Sequence, residues 1–119
     1  MNDFIEKTLI DKSYQFALKI VKLVQNIQND KKEYVLSKAL LRVGTAIGAL
    51  LTEIHFIEDK SEAIEKLNYA LSDTYKTKYW MTLLLTAKFI TQTQFNTIMA
   101  DCKELHNGLK SAVNVLKEL

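Results

Sequence analysis

The sequence predicts an all-α protein: a single-domain four-helix bundle with antiparallel helices in up-down-up-down order. Its 119 residues include no proline and only three glycines, whereas a β-rich fold of this length would need more turn residues. Capping-box sequences precede each of the three later helices. Seven apolar residues recur at alternating steps of four and three, as in the seam of a bundled helix: Leu36, Leu40, Val43, Ile47, Leu50, Ile54 and Ile57.

The composition is that of an ordinary globular domain, with 48% hydrophobic and 25% charged residues. No uninterrupted apolar run approaches the roughly 18 residues that span a bilayer, and the N-terminus lacks a signal-peptide pattern, so we expect no membrane association. The single cysteine cannot form an internal disulfide, which favours a reducing, cytoplasmic setting. The net charge of +2 is weak support for a nucleic-acid partner, because a solvated, mixed-charge surface would look the same.

Residues 1–11 are predicted to form a short N-terminal arm before a bundle that spans residues 12–119. The first helix is predicted over residues 12–28 and carries two apolar stripes. One stripe is Tyr14, Ala17, Leu18, Val21 and Val24, and the other is Phe16, Ile20, Leu23 and Ile27. A helix that is apolar around much of its circumference buries more than one side. In a small domain, the second side usually meets another subunit.

The second helix is predicted over residues 31–57, with Asp30 and Glu33 as its capping box. The third helix is predicted over residues 60–87, with either Asp59 and Glu62 as its capping box or Ser61 as its cap. The fourth helix is predicted over residues 92–118.

The start of the fourth helix has the clearest signal. Thr91 and Gln94 have the spacing of a capping box, and Ile90 and Phe95 have that of a hydrophobic staple. Its seam is Ile98, Cys102, Leu105, Leu109, Ala112, Leu116 and Leu119.

Two glycines one turn apart interrupt the second helix, at Gly44 and Gly48. A glycine inside a helix costs about 1 kcal/mol relative to alanine. Their presence together predicts a place where another backbone comes close.

No catalytic, metal or cofactor motif stands out in the sequence. His55 and His106 are the only histidines. Glu53 and His55 are two residues apart and therefore point to different faces of a helix. Cys102 lies on the seam of the fourth helix, where a buried structural thiol is expected rather than a nucleophile. We predict no enzymatic activity, no cofactor and no metal.

Two further groups admit more than one interpretation. Arg42 and Glu53 lie on one helix face, and each could reach Asp73 or another polar group on the third helix. A structural ion pair or exposed charge is the commoner meaning. A second group mixes rings with lysines, which can serve nucleic-acid stacking but more often marks a core Trp with surface lysines: Tyr75, Lys76, Lys78, Tyr79, Trp80 and Lys88.

The sequence also resembles a known family. The resemblance begins at Lys12–Leu18 and continues through Leu36–Lys38, Lys66–Leu67, Ala70–Leu71 and Tyr79–Trp80. Its central motif is Arg42, Gly44, Thr45, Ile47, Gly48, Ala49 and Glu53. On these residues the chain resembles the four-helix-bundle proteins encoded by intervening sequences within bacterial large-subunit rRNA genes. The same superfamily includes the accessory protein of diversity-generating retroelements.

The chain departs from the family at several polar positions. The family often has serine where this chain has Val43 and Ala46, and asparagine where it has Leu50. Its third helix tends to be acidic where this chain has Thr74–Lys78. The polar contacts of those residues in relatives are therefore expected to be missing here.

The resemblance implies a homopentamer around a central channel, with no known enzymatic activity and RNA or DNA as a partner. We expect phosphate contacts from Lys19, Lys22, Lys31, Lys32, Lys38 and Arg42. The alternative is a protein-interaction accessory subunit, for example a partner of a reverse transcriptase, that binds no nucleic acid itself.

Overall fold

A computed structural model describes residues 5–119, which form four α-helices. The helices are α1 (Lys7–Lys31), α2 (Val35–Ile54), α3 (Lys60–Thr86) and α4 (Gln92–Glu118). The described part of the chain contains no strand, and the bundle measures 47 × 20 × 19 Å. The all-α prediction is confirmed.

Each helix packs against two others and not against the diagonal one. α1 contacts α2 and α4, and α3 contacts the same two helices. Gly44 of α2 faces Ile20 of α1, whereas Gly48 faces Ser13, so α2 runs opposite to α1. These contacts agree with the predicted up-down-up-down order.

The predicted seams of α2 and α4 face the core. On α2, Leu40, Ile47 and Ile54 are fully buried and Leu36 and Leu50 are half-buried, while Ile57, the last residue of the predicted seam, lies beyond the end of the helix and is half-buried. On α4 the seam is buried from Ile98 to Leu109 and again at Leu116, but Leu119 is exposed. Burial of each large apolar side chain contributes roughly 1.5–3 kcal/mol.

The two stripes of α1 have different environments. Phe16, Ile20, Leu23 and Ile27 are buried in the core. In the other stripe only Val24 is buried, and Tyr14 and Leu18 are 62% and 41% exposed. The second apolar side of α1 therefore lies on the outer surface of the bundle.

The described part of the predicted arm is mostly helical. Residues 1–4 lie outside the described residues, but α1 begins at Lys7 rather than at residue 12. Ile5 is buried, and Leu9 packs on α4, with its Cδ1 2.7 Å from where a Cβ of Gly108 would lie. This packing on α4 stabilises turns whose local helical signal is weak.

The boundary between α1 and α2 also differs from the prediction. Asp30 lies inside α1, whose last residue is Lys31 and whose C-cap, Lys32, has the left-handed conformation (φ 54°). The N-cap of α2 is Tyr34, and its side chain forms no capping bond. The predicted capping box of Asp30 and Glu33 is therefore wrong, because α1 continues three residues further than its apolar pattern.

The Glu33 side chain accepts the hydrogen bonds of the free backbone N–H groups in the first turn of α2. Its carboxylate accepts hydrogen bonds from the backbone N–H groups of Val35, Leu36 and Ser37 at 2.9, 2.9 and 2.8 Å. Burial raises the pKa of Glu33, but the three hydrogen bonds outweigh it and lower the pKa below its ordinary value of 4.5. The folded protein therefore favours the ionised form.

We expect Glu33→Ala to lower the free energy of unfolding by about 1 kcal/mol at pH 7, as other lost helix caps do. Because the pKa is lowered on folding, this stabilisation is complete above pH 4.5 and is lost as the pH falls through the folded value. Urea denaturation at neutral and acid pH measures the difference. Exposed Glu58→Ala is the control. A Glu33→Ala effect that persists unchanged in strong acid would contradict the assignment.

The starts of α3 and α4 have the predicted caps. Asp59 accepts a hydrogen bond from the Glu62 N–H at 3.0 Å. Thr91 and Gln94 form both bonds of the capping box, at 3.1 and 2.9 Å. Both helices therefore begin where local side-chain chemistry places them.

By length and composition, α2 is the one described helix apolar enough to cross a bilayer. It packs along both α1 and α3, and Leu40, Ile47 and Leu51 are fully buried by the bundle. A core helix has the same composition, so this feature is weak support for a membrane span.

Candidate functional site

The residues predicted to contact phosphate are all exposed, but they are not equivalent. Lys19 is paired with Asp101 of α4, with 2.6 Å between Nζ and Oδ2. Lys22, Lys31 and Lys38 form no ion pair with any residue in the range 5–119, and the same holds for Lys32 and Arg42. Lys19 is therefore the least available of the six for a ligand.

The charges separate along the long axis of the bundle. Because the helices are antiparallel, residues 19–45 and 73–105 form one half of it, which we call the basic half. It holds ten bases: Lys19, Lys22, Lys31, Lys32, Lys38, Arg42, Lys76, Lys78, Lys88 and Lys103. It holds five acids: Asp30, Glu33, Asp73, Asp101 and Glu104. The rest of the described chain has six bases and eight acids.

This asymmetry does not appear in the net charge. The basic half has five more bases than acids, whereas the rest of the described chain has two more acids than bases, and its acids include Glu53, Glu58, Asp59, Glu62 and Glu65. Sequence reasoning missed it, although laying the predicted helices antiparallel would have revealed it. A concentrated field of one sign attracts polyanions more than a small, evenly spread charge does.

Within the basic half, α2 and α3 enclose a surface groove of about 640 Å³. Arg42 lies on its α2 side. Its α3 side carries Asp73, Tyr75, Lys76, Tyr79 and Trp80. We call this the α2–α3 groove.

The rings in the groove are held outward rather than in the core. Tyr75 and Tyr79 are 61% and 59% exposed. Trp80 is half-buried, and its ring meets Tyr79 edge-on with 5.1 Å between centroids. The interpretation of this group as a core Trp with flanking lysines therefore fits Trp80 but not the two tyrosines.

Arg42 and Glu53 are not brought together. Burial raises the pKa of Asp73 above its ordinary value, and the charges of Lys76 and Arg42 offset only part of that rise. Glu53 lies at the other end of α2 and pairs with Lys66, with 3.1 Å between Oε1 and Nζ, which raises the pKa of Lys66. The ion pair of Glu53 fits the commoner interpretation, a structural charge. Arg42 and Glu53 therefore do not share a site.

The small residues of the family motif lie against α1 of the same chain. A Cβ on Gly44 would lie 2.9 Å from Cγ1 of Ile20, and one on Gly48 would lie 3.5 Å from the carbonyl oxygen of Ser13. Ile47 is fully buried and Ala49 is exposed. Gly44 and Gly48 therefore allow close packing within the chain.

The cysteine and the two histidines are buried or partly buried, and no metal-binding cluster surrounds them in the part of the chain that the structure describes. Cys102 is buried, its Sγ lies 3.6 Å from the Thr74 carbonyl oxygen, and burial raises the pKa of its thiol to about 11. His106 Nδ1 lies 3.1 Å from Thr74 Oγ1, and the buried Nδ1 of His55 has no hydrogen-bond partner among the described residues. Residues 5–119 hold no group of three or more His, Cys, Asp or Glu side chains able to bind a metal ion.

Comparisons with known proteins agree with this architecture. The model of the family described as "23S rRNA-intervening sequence protein" matches residues 6–111. The chain is similar to the crystal structure of a protein of unknown function from the S23 ribosomal protein family of Bacteroides thetaiotaomicron VPI-5482. The two are 39% identical, with a TM-score of 0.86 over 88% of this chain and 97% of that one. No curated protein matches. The chain therefore belongs to the family of 23S rRNA-intervening sequence proteins.

Proposed function

We propose that the protein is a non-enzymatic, homo-oligomeric scaffold that binds RNA or DNA through the phosphate backbone. The observation that carries the proposal is the charge separation along the bundle, with ten bases against five acids in the basic half. Lys22, Lys31, Lys32 and Lys38 offer exposed ammonium groups without ion pairs inside the described chain. Such groups bind phosphates by releasing counterions.

Assembly would strengthen this attraction. A closed ring of identical chains repeats the basic half in every subunit, so a small charge on one chain becomes a large one on the ring. The family resemblance favours five subunits. The outward apolar stripe of α1, with Tyr14 and Leu18 exposed, supports burial against another copy. The single, buried cysteine fits a cytoplasmic protein.

The test is a titration of the purified protein against labelled structured RNA and duplex DNA at low and physiological salt. One variant replaces three lysines of the basic half by glutamine: Lys31, Lys32 and Lys38. The matched control loses the same charge in the other half, through glutamine at Lys7, Lys110 and Lys117. Light scattering gives the mass of each variant against the 13.7 kDa chain.

We expect binding that weakens steeply with salt, because each phosphate contact contributes about 0.9 to the logarithmic salt slope on duplex DNA. The variant in the basic half should lose at least about tenfold in affinity and reduce that slope. The control should bind nearly as the parent does. Salt-insensitive binding, or equal losses in both variants, would contradict the proposal.

A protein-interaction accessory subunit is the second candidate. A shallow surface between α1 and α2 combines apolar and small polar groups with the carboxylate of Asp11 and suits a helix of another protein. It includes Tyr14 and Ala17 of α1 and Thr45, Ala49 and Thr52 of α2. No binding of RNA or DNA even at low salt would favour this candidate. A reverse-transcriptase gene next to the gene for this chain would favour it further.

A further inference from the structure

We propose that the α2–α3 groove binds single-stranded nucleic acid, with an unpaired base stacked on Tyr79 and its phosphates held by Arg42 and Lys76. This inference rests on the proposed function and adds a site for unpaired nucleotides. Residues from two helices, α2 and α3, form the groove.

The rings of the groove are accessible and oriented. Tyr75 and Tyr79 are one turn apart on α3, and each is more than half exposed. The edge-on contact with half-buried Trp80 restrains the Tyr79 ring. A restrained, exposed ring offers the flat face on which a base can stack, whatever the identity of that base.

The charges at the groove suit a phosphate next to a stacked base. Arg42 on α2 and Lys76 on α3 line it from its two walls, and neither forms an ion pair within residues 5–119. A guanidinium group can hold a phosphate through two parallel hydrogen bonds. Asp73 is the one carboxylate among the described lining residues, so it opposes an anionic ligand.

The combination of exposed tyrosine rings and cations in the groove favours an unpaired strand over a duplex. In a duplex the bases are stacked on one another, so their faces are not available to a protein ring unless the base is extruded. Phosphate contacts alone would need only lysines, and the basic half supplies those elsewhere. Exposed tyrosines bordered by cations add an interaction that only unpaired bases can use.

The experiment compares three labelled probes by fluorescence anisotropy: a short oligo(dT), a short oligo(U) and a duplex DNA of equal charge. The variants are Tyr79→Ala, Tyr79→Phe and Asp73→Asn. Circular dichroism and light scattering verify the fold and mass of each variant. Emission from Trp80, the single tryptophan, reports directly on the groove.

We expect Tyr79→Ala to weaken binding of both single strands by about 5- to 100-fold, the usual effect of losing one stacked base. Its duplex affinity should stay within about twofold. Tyr79→Phe keeps the ring and should bind as the parent does, while Asp73→Asn should bind single strands more tightly. Single strands, but not the duplex, should quench Trp80 emission. Preference for oligo(U) or oligo(dT) identifies RNA or DNA as the ligand.

Two results would overturn the inference while leaving the proposed function intact. In one, the parent binds duplex and single strands equally and Tyr79→Ala changes neither. In the other, Tyr79→Ala lowers the mass of the assembly, which would mean that a second copy of the chain covers the groove. Failure of the parent to bind any probe at low salt would instead overturn the proposed function, and this inference with it.

Discussion

Replacing Ile47 by aspartate is expected to unfold the bundle or leave it without fixed packing. Ile47 is 0% exposed, at the centre of α2 and within the main core. Truncation of a buried isoleucine to alanine alone costs about 2–5 kcal/mol. An unpaired carboxylate in the same place adds a desolvation penalty of several kcal/mol. Together these approach the whole stability of a typical domain.

Thermal and urea denaturation followed by circular dichroism measure this effect. Ala49→Asp is the matched control, because Ala49 lies two residues away on the same helix and is exposed. It should keep a midpoint close to that of the parent. An unchanged midpoint for Ile47→Asp would remove Ile47 from the core seam of α2.

Gly44→Leu is expected to destabilise the contact between α1 and α2. Gly44 is buried, and a Cβ there would lie 2.9, 3.0 and 3.2 Å from three carbon atoms of Ile20. Ile20 is itself fully buried and has little room to move. Overpacking of this kind typically costs about 1–3 kcal/mol, which exceeds the gain of about 1 kcal/mol from removing a helical glycine.

A double-mutant cycle tests the cause of that loss. Ile20→Ala alone should destabilise by about 2–5 kcal/mol through the cavity that it leaves. In the double variant the leucine at position 44 can occupy that space, so the two losses should not add. The free energies of unfolding from urea denaturation give the coupling. Strict additivity would show that Gly44 and Ile20 do not constrain each other.

The fold could be predicted because its signals are local. The seam around Ile47 depends on the spacing of apolar residues, and Asp59 and Thr91 satisfy N–H groups within three residues of themselves. The first turns of α1 could not be predicted, since they depend on packing of Leu9 beside Gly108, which is 99 positions away in the sequence. Such long-range packing overrides weak local propensity.

The candidate site was less predictable than the fold. Exposed lysines such as Lys31 and Lys38 could be named from the sequence. Their location in the same half of the bundle, however, depends on how the four helices align. The α2–α3 groove brings Arg42 beside Lys76 and Tyr79 across two helices. The apolar pattern of a single helix does not show how α2 and α3 align with each other. The same holds for the pairing of Lys19 with Asp101, which places a carboxylate beside one of the lysines predicted to contact phosphate.

The separation of charge along the bundle also bears on how copies of the chain could assemble. In a cyclic assembly, equivalent points of all subunits lie at one height and one radius, so the basic halves become neighbours and repel when the long axes of the bundles run parallel to the symmetry axis. Added salt screens that repulsion, yet the same salt weakens contacts to phosphate. A bound nucleic acid would resolve this conflict, because its phosphates would serve as the shared counterion between subunits. Ligand and ring would then stabilise each other.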